Sequence, residues 1–94
     1  MEKATLLTPF QIRQLPRASI VWIEFWNGEE KRAETLKAAL KCQDGTLVDE
    51  DTCVFDDFER DMKYSDDGYW RFWLGEPTEE QRKETPWHEQ CATD

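Results

Sequence analysis

Carboxylates concentrated between residues 44 and 67 are the side chains of this sequence whose number and spacing could do chemistry. This segment holds ten Asp and Glu against Arg60 and Lys63, a local charge of −8, whereas the whole chain carries −9. Carboxylates on a rigid scaffold can imitate the phosphates of a nucleic-acid duplex and attract the Arg and Lys side chains of a phosphate-binding protein. The alternative is a solvated acidic face that keeps a small protein soluble.

Apolar and aromatic side chains alternate with these acids from Val54 to Tyr64. Aromatic groups beside charges are typical of the residues that contribute most to binding at protein interfaces. The alternative is that Phe55 and Phe58 are core residues that fix the segment to the rest of the fold. The sequence predicts a partner-binding surface with six carboxylates as phosphate substitutes and two aromatic anchors. The carboxylates are Asp56, Asp57, Glu59, Asp61, Asp66 and Asp67, and the anchors are Phe58 and Tyr64.

Metal-binding patterns are weak in this sequence. No window has the acidic positions, the glycine and the final glutamate of an EF-hand loop. A zinc site would have to combine Cys42, Cys53, His88 and Cys91, of which only His88 and Cys91 have close ligand spacing. Cys42 and Cys53 are better explained as small buried hydrophobic residues. The sequence therefore predicts no metal and no other cofactor.

Catalytic patterns are also missing from the sequence. His88 is the sole histidine and lies near the end of the chain. No glycine-rich phosphate loop is present, and no Ser or Cys lies in a recognisable nucleophile context. With 21 acidic residues, a pair of carboxylates placed for acid–base work is expected by chance. The sequence predicts a protein that is not an enzyme.

Tryptophan side chains could form a stacking platform for single-stranded nucleic acid. The net charge of −9 opposes this function, because such platforms normally lie in a basic groove. Core packing is the better explanation for most of the tryptophans, and one or two remain for a protein interface. The candidates for the platform are Trp22, Trp26, Trp70 and Trp73.

Length and composition restrict the class of protein. Ninety-four residues make room for one domain, and 13% aromatic residues are too many for a disordered chain. A sequence pI near 4.5 disfavours direct binding to nucleic acid or to an anionic membrane, so the predicted partner is basic. No stretch approaches the roughly 20 apolar residues of a membrane span, and the start does not look like a signal peptide. Three cysteines without a C-x-x-C pair predict a cytoplasmic protein with reduced thiols.

Two capping boxes predict the helices. In Thr8–Gln11, Thr is the N-cap, Pro takes the first helical position and Gln lies three residues after the cap. This motif predicts a short helix over about residues 9 to 15. The same pattern in Thr78–Gln81 predicts a terminal helical turn through about Glu84.

Two segments rich in β-branched and aromatic residues predict the main strands. Ser19–Trp26 is apolar on both faces of the pleat, with Glu24 as the one interruption, so we expect a central strand. In the pleat, Val21 and Ile23 share one face of this strand. Gly68–Leu74 is also apolar on both faces and is expected in the core.

Residues 29–42 fit a helix and a strand, because their apolar positions match both periods. Helix propensity favours the helix. The Gln43–Gly45 segment looks like a hairpin turn leading to a strand at residues 46–48, however, and a hairpin requires a strand before it. This slightly favours the strand. A further short strand is expected over residues 52–55.

Four segments and one tryptophan, together about half of the chain, are similar in sequence to a group of known proteins. They are Leu7–Leu15, Ile20–Glu24, Tyr69–Trp73, Glu76–Arg82 and Trp87. In these residues the chain resembles small proteins encoded by phages and prophages, mostly of Firmicutes and gut bacteria. The resemblance implies a phage origin, the cytosol of a bacterial host, and a strongly bent sheet of the SH3-like kind with a helix before its first strand. It brings no established activity.

The expected fold class is α+β, mainly β. We expect one domain over residues 1–87, a small, strongly bent antiparallel sheet or SH3-like barrel with a short N-terminal helix and a C-terminal helical turn. Trp87 would fold back onto the sheet as an aromatic anchor, and residues 88–94 would be a frayed tail.

The expected function is that of a small acidic phage-derived inhibitor. It would bind a basic, nucleic-acid-binding protein of host or virus and block its nucleic-acid site, as an anti-CRISPR protein or another DNA mimic does. Such binding should be sensitive to salt, because salt screens exposed charges. The alternative is a non-enzymatic accessory phage domain, either a homodimer or a subunit of a larger assembly, that uses its tryptophan-rich surface.

Overall fold

The computed structural model describes residues 3–85, which form a six-stranded antiparallel sheet and three short helices. The sheet curls strongly into a half-barrel, so the predicted class, α+β and mainly β, is confirmed. The expectations for Trp87 and for residues 88–94 lie outside the described residues. The strands are β1 (Thr5–Leu6), β2 (Ile20–Asn27), β3 (Arg32–Lys41), β4 (Leu47–Asp49), β5 (Val54–Phe55) and β6 (Gly68–Leu74), and the helices are α1 (Pro9–Gln14), α2 (Phe58–Met62) and α3 (Glu79–Glu84).

Strand β2 lies inside the sheet, as its two apolar faces predict. The strand order is β1-β6-β2-β3-β4-β5, so β6 inserts between β1 and β2. β2 pairs with β3 on one side and, from Val21 to Asn27, with β6 on the other. The two-residue strands β1 and β5 form the edges of the sheet. Within residues 3–85, no helix has the length and apolar composition needed to cross a membrane.

Helix α1 begins as its capping box predicts. The Thr8 side chain accepts a hydrogen bond from the Gln11 N–H, and the Gln11 side chain accepts one from the Thr8 N–H at 2.8 Å. Pro9 takes the first turn, where no intrahelical partner for an N–H exists. Ile12 is fully buried, and its carbonyl accepts a hydrogen bond from the Lys41 ammonium of β3 at 2.8 Å. Both contacts hold α1 on the sheet.

The core face of the sheet is lined by Val21 and Ile23 from β2 and by Phe72 from β6. All three are fully buried, because α1 and α2 pack on this face through Ile12 and Phe58. The Phe58 ring meets the Phe72 ring edge-on, with centroids 5.8 Å apart, which is a favourable aromatic geometry. Burial of each of these side chains contributes about 2 kcal/mol to folding and fixes both helices.

The middle of the chain forms a strand and not a helix. β3 pairs with β2 along its length, and a register shift between Glu24 and Phe25 marks a β-bulge. The predicted hairpin turn follows, with Gly45 at φ 94°, and β4 returns antiparallel to β3. Helix propensity is overridden here because a helix would leave this side of β2 unpaired.

Helix α2 was not predicted from the sequence. The Asp57 side chain caps it by accepting a hydrogen bond from the Arg60 N–H at 3.1 Å. Five residues are too few to show a helical period, and the contact of Phe58 with the core holds the single turn in place. The preceding strand, β5, is confirmed but covers only Val54–Phe55.

A buried carboxylate organises the opposite, outer face of the sheet. Glu24 is fully buried and accepts hydrogen bonds from the Arg71 Nε at 2.7 Å and from the Trp73 Nε1. Its second oxygen accepts one from the Arg82 Nε. The Arg71 guanidinium also donates to the Thr85 carbonyl at 2.7 Å. This network joins β2, β6 and α3, and α3 begins at the second predicted capping box.

Replacing Glu24 with Gln should destabilise the protein by about 3 kcal/mol or more, because the buried Arg71 guanidinium loses its counter-charge. The matched control is Glu34→Gln, which removes a carboxylate from a more exposed ion pair with Arg32 and should cost less than about 1 kcal/mol. Urea unfolding at neutral pH, followed by tryptophan fluorescence, measures both. Equal losses in the two variants would contradict the role assigned to Glu24.

Candidate partner-binding surface

The carboxylates around α2 are the most closely associated of the predicted site residues. Asp56 and Asp57 precede the helix and are exposed, and Asp61 lies one turn later with a side chain that is 13% exposed. Burial raises the pKa of Asp61, the Arg60 guanidinium lowers it, and the negative charges of Asp57 and Asp56 raise it further. We call Asp56, Asp57 and Asp61 the α2 acid group. A cation that approaches this group relieves the repulsion within it.

Glu59 also lies on α2, but a neighbouring cation compensates its charge. The carboxylate accepts two hydrogen bonds from the Arg13 guanidinium of α1, and these bonds lower the pKa of Glu59. The same guanidinium lies over the Phe58 ring, 5.7 Å from its centroid. Glu59 therefore joins α1 to α2 and offers a partner little uncompensated charge.

Asp66 and Asp67 form a second acidic group in the turn before β6. The Gly28 N–H donates to the Asp67 carbonyl at 3.2 Å. A Cβ at Gly28 would lie 1.9 Å from the Asp66 carbonyl oxygen, so the turn packs tightly against the β2–β3 turn. Within residues 3–85, no hydrogen bond or ion pair joins this pair to Asp61. The predicted carboxylates thus form two groups and not one continuous row.

The two predicted aromatic anchors have different environments. Phe58 is 1% exposed and belongs to the core, which is the alternative that the sequence left open. Its predicted role at an interface is therefore corrected to a core role, because it fills the space between α2 and β6. Tyr64 is half-buried on the outer face, where its ring lies edge-on to Tyr69 beside Trp26. Its hydroxyl donates to the Asp66 carboxylate at 3.3 Å.

Asp49, which the sequence analysis counted among the acidic charges, has a structural role. Its carboxylate accepts hydrogen bonds from the N–H groups of Asp51 and Cys53 and meets the Lys37 ammonium at 3.0 Å. Burial alone would raise the pKa of Asp49, but the Lys37 ammonium and the two N–H donors hold it below its usual value. Lys37 also lies 3.2 Å from the Asp51 carboxylate. A local charge of −8 therefore overstates what this segment presents to a partner.

Cysteine positions in the described part of the chain suit no metal site. Across residues 3–85, no three His, Cys, Asp or Glu side chains are grouped as metal ligands. Cys42 is half-buried after β3, whereas Cys53 is exposed in the β4–β5 turn. The prediction of a buried hydrophobic role is therefore wrong for Cys53, whose place is set by its N–H bond to Asp49. His88 and Cys91 lie outside the described residues.

The four tryptophans named as a stacking platform differ in burial. Trp26 and Trp73 are 3% and 2% exposed, and Trp22 and Trp70 are half-buried. The Trp70 ring packs against Phe25 with centroids 4.8 Å apart. Trp26 and Trp73 therefore lack the open ring face that base stacking requires.

The substitution Asp61→Asn should raise the free energy of unfolding at pH 7 by about 0.5–1 kcal/mol, because it removes a partly desolvated and repelled charge. The pKa of Asp61 is higher in the folded protein than in the unfolded chain. Protonated Asp61 therefore favours the folded state fully at a pH below the unfolded pKa, and this contribution is lost as the pH rises through the folded pKa. The gain should therefore disappear below the pKa of an unfolded aspartate. Thermal unfolding across this range measures it, with exposed Asp67→Asn as the control. Destabilisation by Asp61→Asn at pH 7 would contradict the α2 acid group.

Comparisons with known proteins found no similarity: no protein-family model matches the chain, and no curated protein or solved structure matches it. Its own charge, burial and contacts are therefore the main evidence on its function.

Proposed function

We propose that this protein is a small acidic inhibitor that binds a basic, nucleic-acid-binding protein and covers its nucleic-acid site. The observation that carries the proposal is the α2 acid group, in which exposed Asp56 and Asp57 lie at the start of α2, one turn before Asp61. Neighbouring phosphates present a similar field to the Lys and Arg side chains of a nucleic-acid-binding protein. The phage resemblance points to a host defence protein in the bacterial cytosol as the target, as for an anti-CRISPR protein.

The rigidity of α2 supports this proposal. A mimic binds best when its charges are already held in place, because ordering a flexible segment costs affinity. Asp57 caps the helix, Phe58 anchors it in the core, and the Arg13–Glu59 pair ties it to α1. The charges therefore stand on a fixed frame before any partner arrives.

The acidic residues have different roles in this proposal. Asp56 and Asp57 are exposed and would make direct contacts with Lys or Arg. Asp61 is mostly covered and lies 3.5 Å from the Arg60 guanidinium, so it would make no direct contact with the partner. Asp66 and Asp67 extend the negative surface to the end of the sheet.

Neutralising exposed acids should weaken inhibition. The test variant combines Asp56→Asn, Asp57→Asn and Asp67→Asn, and α2 keeps a good N-cap because asparagine caps helices as well as aspartate does. Tagged wild type captures partners from a bacterial host lysate, mass spectrometry identifies them, and gel shifts measure how the chain displaces DNA from each purified partner. Three lost charge pairs of about 0.5 kcal/mol each predict about tenfold weaker inhibition, and inhibition by the wild type should weaken as salt rises.

The control variant is Glu76→Gln, Glu80→Gln and Glu84→Gln, which removes the same number of charges around α3, on the opposite face of the sheet from α2. It should inhibit like the wild type. If both variants weaken inhibition equally, net charge alone explains the effect. If the Asp variant inhibits as well as the wild type, the proposal that these acids imitate phosphates is wrong. Circular dichroism confirms that each variant is folded.

Self-association is a second candidate function, and an apolar row on the outer face favours it. Ile20, Leu40, Val48 and Val54 lie directly opposite one another across β2, β3, β4 and β5. Ile20, Leu40 and Val54 are 54%, 48% and 59% exposed. A second copy could cover this row, although the charge of −9 on each copy opposes the contact at low salt.

This second candidate predicts a dimer whose salt dependence is the reverse of the inhibitor complex. Sedimentation at about 0.05 M and 0.5 M salt should show association that strengthens with salt, because screening relieves the repulsion between copies. Leu40→Lys should abolish it, whereas Leu74→Lys, at a leucine that is 41% exposed outside the row, should not. A wild-type chain that stays monomeric in both buffers would contradict self-association.

A further inference from the structure

A groove of about 580 Å³ lies beside β6, between the end of α2 and the end of α3. Trp70 of β6, Met62 of α2 and Leu6 of β1 contribute to its lining, which is mostly apolar. Leu6 is 41% exposed, although it is a large apolar side chain. We call this space the β6 groove. An apolar side chain that enters it gains free energy by leaving water.

The β6 groove exists because β1 is short. β1 pairs only with the last two residues of β6, and the Leu7 N–H then donates to the Phe72 carbonyl at 2.8 Å. The chain turns away at Thr8 into α1. Among the described strands, none continues along this edge of β6 before Phe72. The edge and the apolar groove beside it are therefore available to another segment.

The polypeptide leaves α3 beside this groove. Thr85 is the C-cap residue of α3 and lines the groove. Its carbonyl accepts a hydrogen bond from the Arg71 guanidinium at 2.7 Å, which fixes the end of α3 on β6. The Thr85 backbone is extended, with φ −107° and ψ 92°, in the region that a residue before proline prefers. Pro86 does not continue the helix, so the residues after it start at the groove.

Trp87 is the large apolar side chain of the nine residues 86–94. It follows Thr85 by two residues, and two residues span at most about 7 Å. The ring therefore reaches the groove from a backbone position that is already fixed. A tryptophan buries about 150–250 Å² when it packs, more than any other side chain of this segment can. A tethered segment also avoids most of the entropy that a separate partner loses on binding.

The charges of the β6 groove are compatible with this segment. Its charged lining residues are Glu59, Lys63 and Arg71. Glu59 and Arg71 are both in the ion pairs described above. Lys63 is exposed, and no ion pair joins it to another residue in the described part of the chain. Residues 86–94 contain two acids and no Lys or Arg, so the segment meets no uncompensated like charge in the groove.

We propose that Trp87 packs into the β6 groove, against Leu6, Tyr69 and Arg71. Side chains alternate between the faces of a strand, so Tyr69 and Arg71 share the outer face of β6. Leu6 lies on the same face, because the register places it opposite Trp73. The end of α3 lies there too, bound to Arg71. The proposal gives a place to the aromatic anchor that the sequence predicts, and it does not depend on the proposed function.

A ring in this place also acts on the ion network of the outer face. It covers the Arg71 guanidinium, which donates to the Glu24 carboxylate and to the Thr85 carbonyl. Both bonds are charge-assisted, and they strengthen when water is excluded, because the local dielectric falls. The 86–94 segment is then a strap that closes the groove and holds α3 on the sheet.

A double-mutant cycle in the full-length protein tests the contact. Trp87→Ala removes the ring, Leu6→Ala removes its partner, and urea unfolding followed by circular dichroism gives the folding equilibrium constants. Trp87→Ala should lower this constant about tenfold or more. The loss in the double variant should be smaller than the product of the two single losses by a factor of about three or more, because side chains in contact are energetically coupled.

The matched control is Leu74→Ala. Leu74 is as exposed as Leu6 but lies outside the groove. Its loss should multiply with that of Trp87→Ala to within about twofold, as for side chains that do not touch. Equal coupling of Trp87 to Leu6 and to Leu74, or coupling to neither, would overturn the proposal.

NMR of the wild-type protein tests the same contact without any substitution. Nuclear Overhauser effects should join the Trp87 indole protons to the Leu6 methyl groups and to the Tyr69 ring. A mixture of isotope-labelled and unlabelled copies identifies the occupant of the groove. Contacts within one copy support the strap, whereas contacts only between copies would assign the groove to a second copy and overturn it. A Trp87 indole without contacts to the groove would leave the groove to another partner and would also overturn the proposal.

Discussion

The buried carboxylate of Glu24 is the interaction on which the two-sided arrangement of this protein depends. An antiparallel sheet can pack one face and leave the other to water. Here Glu24 is joined to Arg71 and Arg82, which lie 47 and 58 residues away in the sequence. The ion pairs draw α3 onto the outer face of β2 and β6. α1 and α2 pack on the core face through Ile12 and Phe58, and Asp56 and Asp57 lie beside α2 on that side.

A single short stretch of chain then has three tasks. Phe58 of α2 completes the core, and Asp56 and Asp57 just before the helix are exposed to solvent. Met62 of α2 lines a groove of about 580 Å³ beside Trp70. Asp56 and Asp57 would attract a basic partner before contact, over a distance that salt shortens.

Local signals made much of this fold predictable from the sequence. Both capping boxes, β2, β6 and the turn before β4 follow from residues that are neighbours in the chain. β1 and α2 did not, because two and five residues carry no readable period and their positions are set by distant contacts.

The candidate site was predictable only in part. The sequence located the acids, but it could not tell exposed Asp56 from Asp49, whose charge is bound by Lys37, or Phe58 in the core from an anchor at the surface. Each of these differences depends on which distant side chain lies next to the residue. The short pairing of β1 with β6, at Trp73 and Leu74 only, also had no signal in the sequence.

The insertion of β6 between β1 and β2 has a consequence for how the chain folds. β2 and β3 are close in sequence and can pair early, as a hairpin does within microseconds. β2 nevertheless lacks its second neighbouring strand until β6 arrives, after a loop from Asn27 to Gly68 has closed. The sheet therefore cannot be completed before this long-range closure, a kind of contact that is associated with slower folding. Until then, the hairpin exposes the surface on which premature chains would aggregate.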